Sequence, residues 1–252
     1  YISFGECLGI GQRRSRFDSL LVEAISTEHS PAGSIGVSPH APYTVDSEGL
    51  QNVIEQAKAH GLPVMMHLAE TPDERAFLLD HSGPLGEIYR RLKMDPGPAP
   101  GFPAGPIAWL SALGVKSIHA AHVNYCSDAD IQMLKQMNMT VVWCPRTHDY
   151  FGHRSHRWRE MCKAGVAVRF GTDSCASSPD LNLVDDLRLV HRRWPEVEPM
   201  DLFRRAAGEI RPGEFADLVA FPTHSTDPLR QILQTPDMLP SHVWIGGKPS
   251  KP

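Results

Sequence analysis

At 252 residues with 41% hydrophobic side chains, the chain is long enough for one large domain around a substantial core. A net charge of -4 without a basic run leaves no footprint for nucleic acid, and no apolar stretch approaches the roughly 20 residues that cross a bilayer. Five cysteines, at 7, 126, 144, 162 and 175, contain no C-x-x-C pair, which argues against a disulfide framework or a thiolate zinc site. The expectation is a cytoplasmic protein of small-molecule chemistry, with reduced thiols near its core.

The chain opens without methionine, in what reads as the end of a strand over 1–9, and residues 1–6 lack the basic and apolar regions of a secretory signal. A portion upstream is expected. Phe17, Leu20, Leu21 and Ala24 recur at helical spacing and predict an amphipathic helix over 13–26. Residues 34–43 read as a brief strand running into a loop where Pro39 and Pro42 limit the positions open to His40. Asp46 or Ser47 caps the next helix, whose Leu50, Val53, Ile54 and Ala57 share a face before Gly61 ends it.

Residues 63–70 are the stretch around which the chain is organised, an apolar strand of the buried parallel kind that ends in His67 and Glu70. Thr71 is placed to cap the helix that follows, with Pro72 at its first position and Glu74 closing a capping box. Prolines at 96, 98, 100, 103 and 106 make 93–106 an exposed loop, or a lid over the strand ends. A third strand, 117–124, holds His119, expected to pack, and His122, and precedes a helix capped within 127–130. A fourth, 140–144, leads into a polar loop, 145–153, whose Arg146, His148 and His153, with His156, read equally as solvated surface or pocket wall. A short helix with Trp158, Met161 and Cys162 then stops at Gly165. The fifth strand, 166–173, closes on Gly171-Thr172-Asp173 ahead of a helix presenting Leu183, Val184, Leu187 and Val190. The tail, 208–221 and 242–248, reads as strands and turns of a small β-layer.

Strands alternating with helices predict a parallel α/β architecture, in which the C-terminal strand ends face the same way. His67, Glu70, His122 and Asp173 are therefore expected to converge, and imidazole with carboxylate is ligand chemistry for zinc or iron. Five such units and a stub precede residue 200, fewer than the eight that a complete barrel accommodates in about 250 residues.

The motifs 36–43 (Gly-Val-Ser-Pro-His-Ala-Pro-Tyr), His67-Leu68-Ala69-Glu70-Thr71, Ala120-Ala121-His122, 144–148 (Cys-Pro-Arg-Thr-His), Gly171-Thr172-Asp173-Ser174 and 210–219, in that order, resemble the amidohydrolase superfamily. Within it they are similar to the branch of S-adenosylhomocysteine, guanine and cytosine deaminases and triazine chlorohydrolases. The resemblance implies an α/β fold, a (β/α)8 barrel of the metal-dependent hydrolase type incomplete at its N-terminus, with remnants of a small β-sandwich. Residues 1–205 would be the partial barrel and 206–252 the C-terminal strands of the small composite domain. The implied reaction is hydrolysis of a C–N bond, as deamination of a small heterocyclic or nucleoside-like substrate, with one divalent metal ion, zinc ahead of iron. By position, His67 and Asp173 are implied as metal ligands, Glu70, His122 and Asp173 as catalytic groups, and His40 with Glu70 as substrate contacts. The family's His-x-His pair does not occur at the start of this chain. Two alternatives stay open: hydrolysis of another bond, a cyclic amide or C–Cl, and an inactive truncated member. A homo-oligomer is also implied, and nucleic-acid or membrane partners are not.

Overall fold

The computed structural model describes residues 2–26, 34–208 and 210–250, so Tyr1 and Glu209 of the expected first strand and tail lie outside the described residues. Two compact units are delineated, Tyr1–Trp143 with Gly152–Arg169, and Cys144–Phe151 with Phe170–Pro252.

In the first unit β1 (Ile2–Cys7) and β2 (Ser34–Pro39) pair in parallel, Cys7 opposite Pro39. β3 (Met65–Leu68), β4 (His119–His122), β5 (Thr140–Trp143) and β6 (Ala167–Phe170) form a second sheet in that order, parallel from β3 through β5. A parallel bridge between Val37 and Val64 joins β2 to the approach to β3, so neighbouring strands follow chain order, as in the expected barrel. Hydrogen bonds among the described residues do not close that barrel.

The helices of this unit follow their sequence signals most closely at α2 and α6, whereas α1 starts four residues later than expected. α1 (Phe17–Ile25) follows a 3-10 turn over Gly11–Arg16 and buries Phe17 and Leu21. In α2 (Ser47–His60) the Asp46 carboxylate accepts the Gly49 N–H at 2.7 Å, and Gly61 takes the left-handed conformation that ends the helix. Its Leu50 and Val53 are wholly buried, worth about 1.5–3 kcal/mol each. α3 (Asp73–Asp80), α4 (Gly83–Arg91), α5 (Pro106–Ala112) and α6 (Asp128–Gln136) follow, the last closed by a reciprocal capping box between Ser127 and Asp130. α7 (Pro145–Tyr150) belongs to the second unit, and α8 (Trp158–Ala164) returns to the first.

Two expectations change here. Residues 145–150 are helical rather than loop: Pro145 opens a short helix whose Thr147 and His148 are buried, so polarity alone misled. The proline-rich segment is irregular as expected but fastened down, because the Asp95 carbonyl accepts from Gln12 N–H, the Leu78 carbonyl from Phe102 N–H, and the Pro103 carbonyl from Arg75 Nε.

The second unit contains α7, α9 (Leu183–Arg193), α10 (Pro199–Ala206), α11 (Pro228–Gln234) and an antiparallel sheet of β7 (Leu218–Ala220), β8 (His242–Ile245) and β9 (Lys248–Ser250). Its core includes Leu187, Val190, Leu202, Ile232 and Leu233. Arg146 clasps α7 to α9: its backbone N–H and Nε both donate to the buried Asp186 carboxylate, at 2.8 and 3.0 Å, and its terminal nitrogen reaches Asp180 and the Asn182 carbonyl. Arg146 is thus an anchor, neither solvated loop nor pocket wall.

Candidate active site

Three predicted residues meet at the ends of β3 and β4. His67 Nδ1 lies 2.8 Å from His122 Nε2, and His122 Nε2 lies 3.7 Å from Glu70 Oε1. His122 is buried, whereas Glu70 keeps 22% of its side chain exposed, enough to be desolvated without being sealed. Strand alternation presents His67 on the face opposite the buried Met66 and Leu68. The turns beyond the strands are strained to bring the rest in: Ala69 (φ +50°), His122 (+70°) and Val123 (+52°) all occupy the left-handed region, which non-glycine residues seldom enter.

His40 joins them from the end of β2, its ring 5.1 Å from that of His67, and its carbonyl accepts the His67 N–H at 2.8 Å. The Thr44 hydroxyl donates to the Ala41 carbonyl and so accepts from His40 Nδ1 at 2.8 Å, which leaves the imidazole lone pair on Nε2. Burial holds the His40 pKa below its ordinary value, in keeping with a neutral ring.

The turn that carries Glu70 is held by a residue given only a capping role above. Glu74, 1% exposed, accepts three backbone N–H groups, from Ala69 (2.9 Å), Glu70 (2.6 Å) and Thr71 (3.2 Å). The expected capping box does not form as drawn: α3 starts at Asp73 with Pro72, not Thr71, at its N-cap and without a side-chain cap, and Glu74 instead reaches back to three N–H groups. Burial pushes the Glu74 carboxyl up to about 7 against the pull of those N–H groups. Asn124 Nδ2 donates to the Glu70 carbonyl at 3.1 Å, and the buried His156, stacked on Trp143, donates from Nε2 to the His122 carbonyl at 2.9 Å. His153 faces the same region, its pKa lowered by burial and raised in part by the Glu70 charge. Glu74 could have been found four residues past Glu70, and Asn124 two past His122; His156 carries no local signal.

His67, Glu70 and His122 each offer a ligand atom within 4.8 Å of the others, and Glu6, His40 and His67 do the same. Glu6 comes from the end of β1, where no sequence signal marks it as a ligand. Two imidazoles with a carboxylate are a donor set for zinc or iron. The residues fit a metal.

Asp173 belongs to the second unit, three residues beyond β6, with φ +68° and the Ser177 hydroxyl donating to its Oδ2 at 3.3 Å. Thr147 meets the Ser177 hydroxyl at 2.9 Å and packs this turn from α7. His119 is half-buried and meets Phe4 edge-on, in keeping with packing. A cavity of about 320 Å³ in the second unit is lined by Arg188, His191 and Leu233, among others, and by none of the candidate residues.

Residues 9–249 match the Amidohydrolase family model. The chain belongs to the amidohydrolase family. This amidohydrolase is 30% identical over 184 residues to an aminodeoxyfutalosine deaminase of Deinococcus radiodurans, covering 70% of the chain and 44% of that protein. It is 28% identical over 243 residues to a 5-methylthioadenosine/S-adenosylhomocysteine deaminase of Thermococcus sibiricus, covering 87% and 53%. The chain thus spans about half the length of the curated relatives it matches. Its fold is that of Helicobacter pylori aminofutalosine deaminase, at a TM-score of 0.83 and 19% identity over 99% of the chain and 68% of that structure. A Xanthomonas campestris adenosine deaminase with bound zinc aligns at 0.75 and 22% identity, over 97% of the chain and 59% of its own. The parallel strands of this chain are therefore those of the fold these structures share.

Proposed function

We propose that the protein containing this chain is a hydrolytic deaminase of a nucleoside-like heterocycle. The observation that carries the reading is the gathering of His67, Glu70 and His122 at adjacent parallel strand ends, with ligand atoms within 4.8 Å of one another. The family and the deaminases among its relatives support the choice of deamination over hydrolysis of a cyclic amide or a C–Cl bond. His67 and Asp173 would hold a single zinc ion. When bound, the ion supplies Lewis acidity that makes hydroxide available near neutral pH.

This chain's own groups then account for the protons. Asp173 accepts the proton of the attacking water, whose oxygen bonds to the amino-bearing carbon. Glu70, largely shielded from water, delivers a proton to the neighbouring ring nitrogen, which raises the electrophilicity of that carbon. His122, within reach of both His67 and Glu70, stabilises the new oxygen; Asp173 passes the proton it took to the amino group, the C–N bond breaks to release ammonia, and the new hydroxyl returns its proton to Glu70 as the carbonyl forms. His40, neutral with its Nε2 lone pair turned from Thr44, contacts the substrate as a hydrogen-bond acceptor.

The same reading takes residues 1–205 as the barrel portion and 206–252 as strands of a small composite domain. It includes a cytoplasmic address, supported by free thiols at Cys7, Cys126 and Cys175, and self-association, measurable by light scattering. Among the described residues no helix is long and apolar enough to cross a membrane. The test is turnover by the zinc-loaded full-length protein of a panel of four compounds, read as ammonia release from adenosine and 5-methylthioadenosine, ring opening of a cyclic amide and chloride release from a chlorinated triazine. Ammonia from the nucleosides is expected; turnover of only the amide or the triazine, or of nothing, would overturn the reading.

A further inference from the structure

A carboxylate removed from water without a cation beside it is costly unless backbone donors replace the lost hydration, and among the described residues Glu74 has no ion pair. It is 1% exposed, and it accepts from the N–H groups of three consecutive residues, 69, 70 and 71. Helix capping as the sequence suggests it accounts for only one of them, Thr71, and in the structure Thr71 stands one residue before Pro72, the N-cap of α3. The other two belong to the segment between β3 and α3 that carries Glu70. Ala69, the first of the three, is left-handed at φ +50°, a conformation that costs about 1 kcal/mol or more for a residue with a Cβ and persists only where its surroundings enforce it.

We propose that Glu74 is a positioning residue for Glu70. Its two oxygens divide the work: Oε2 takes the Ala69 N–H, and Oε1 takes those of Glu70 and Thr71. The peptide planes on both sides of Glu70 Cα are thereby fixed, and with them the direction in which its side chain leaves the backbone. Asn124 holds the carbonyl of the same residue from the β4 side, so Glu70 is gripped at its N–H by α3 and at its C=O by the turn after β4. Placement of a proton-transfer group to within a fraction of an ångström is worth large factors in rate, and a rigid first turn of a helix supplies it. The inference rests on Glu70 being the acid/base group, whereas the grip itself does not.

Glu74→Gln tests both. The amide keeps the volume and one acceptor oxygen but turns an NH2 group on one of the three N–H donors. In the zinc-loaded full-length protein we expect kcat for the best nucleoside to fall by about 10–100-fold with KM within about threefold, since a misplaced group loses transition-state and not ground-state contact. Zinc content should stay that of the wild type, and hydrogen exchange at amides 69–71 should rise at least tenfold. Glu74→Asp, one methylene short but still a carboxylate, should fall between the two, and carries the same readouts where Glu74→Gln does not fold. Unchanged exchange at 69–71, or faster exchange with kcat within twofold of wild type, would overturn the proposal, as would loss of zinc in parallel with activity. Should the wild type release no ammonia from any nucleoside, the deaminase reading fails by itself, while the exchange measurement still decides the grip on residues 69–71.

Discussion

His122 stands in register with Leu68, yet its ring meets that of His67, one residue earlier on β3 and on the other face of the strand. In a continuing strand, parallel partners point the same way, and His122 would follow Leu68 into the buried layer. The positive φ of His122 turns it back, and the left-handed Val123 after it ends the strand. The imidazole pair is thus made by backbone strain held in place by the His156 hydrogen bond to the His122 carbonyl. His67→Ala should lower zinc affinity by at least the roughly 10–100-fold that loss of a supporting partner costs, and His156→Phe by an amount within that range. Competition with a chelator measures both; His60→Ala, on the exposed end of α2, should change nothing.

Stability should depend on pH through Glu74. Its carboxyl binds a proton more tightly in the fold, at about 7, than in the unfolded chain near 4.5. The stabilisation this contributes is complete below the unfolded value and is lost as pH rises through about 7. Across that interval the fold should lose about 3 kcal/mol relative to Glu74→Gln, in which the pH dependence flattens. Urea unfolding at several pH values between 4.5 and 8 checks the difference.

In the second unit, Arg146→Ala should destabilise by about 3–5 kcal/mol, because it leaves the wholly buried Asp186 carboxylate without its cation. Burial already holds the Asp186 carboxyl above its ordinary range, although Arg146 opposes this. Arg193→Ala, which breaks the half-exposed pair with Asp149, should cost no more than about 1 kcal/mol. Denaturant midpoints of the two variants compare them directly.

Gly11 sits at φ +54°, and a Cβ there would meet the Asp95 carbonyl oxygen at 2.0 Å. Gly11→Ala should therefore push the proline-rich segment off its anchor, with a loss of more than about 1 kcal/mol and faster proteolysis within 93–105. Proteolysis unchanged from wild type would show that segment to be held from elsewhere.

Much of this was legible in the residues themselves. Asp46 and Gly61 announce both ends of α2, Ser127 and Asp130 the start of α6, and the apolar run into His67 and Glu70 the strand that matters most. Such signals are local, set by one turn of backbone. What escaped is non-local or too short: α7 and α11 span 6 and 7 residues, less than two full apolar repeats, and α7 buries polar side chains against Asp173's turn and Asp186. The face on which His122 emerges depends on a φ that no period-two pattern encodes, and His156 reaches its carbonyl from 34 residues away. Glu74 was read as a cap because three-residue spacing fits one; its grip on Ala69 and Glu70 follows from the strained turn instead.

The most direct measurement is Glu70→Gln in the zinc-loaded full-length protein, followed by ammonia release and metal content on the same sample. The account predicts that the ion stays bound while ammonia release from the preferred nucleoside drops by about 10²–10⁴-fold, the usual worth of a general acid or base. Ammonia release within twofold of the wild type would contradict it.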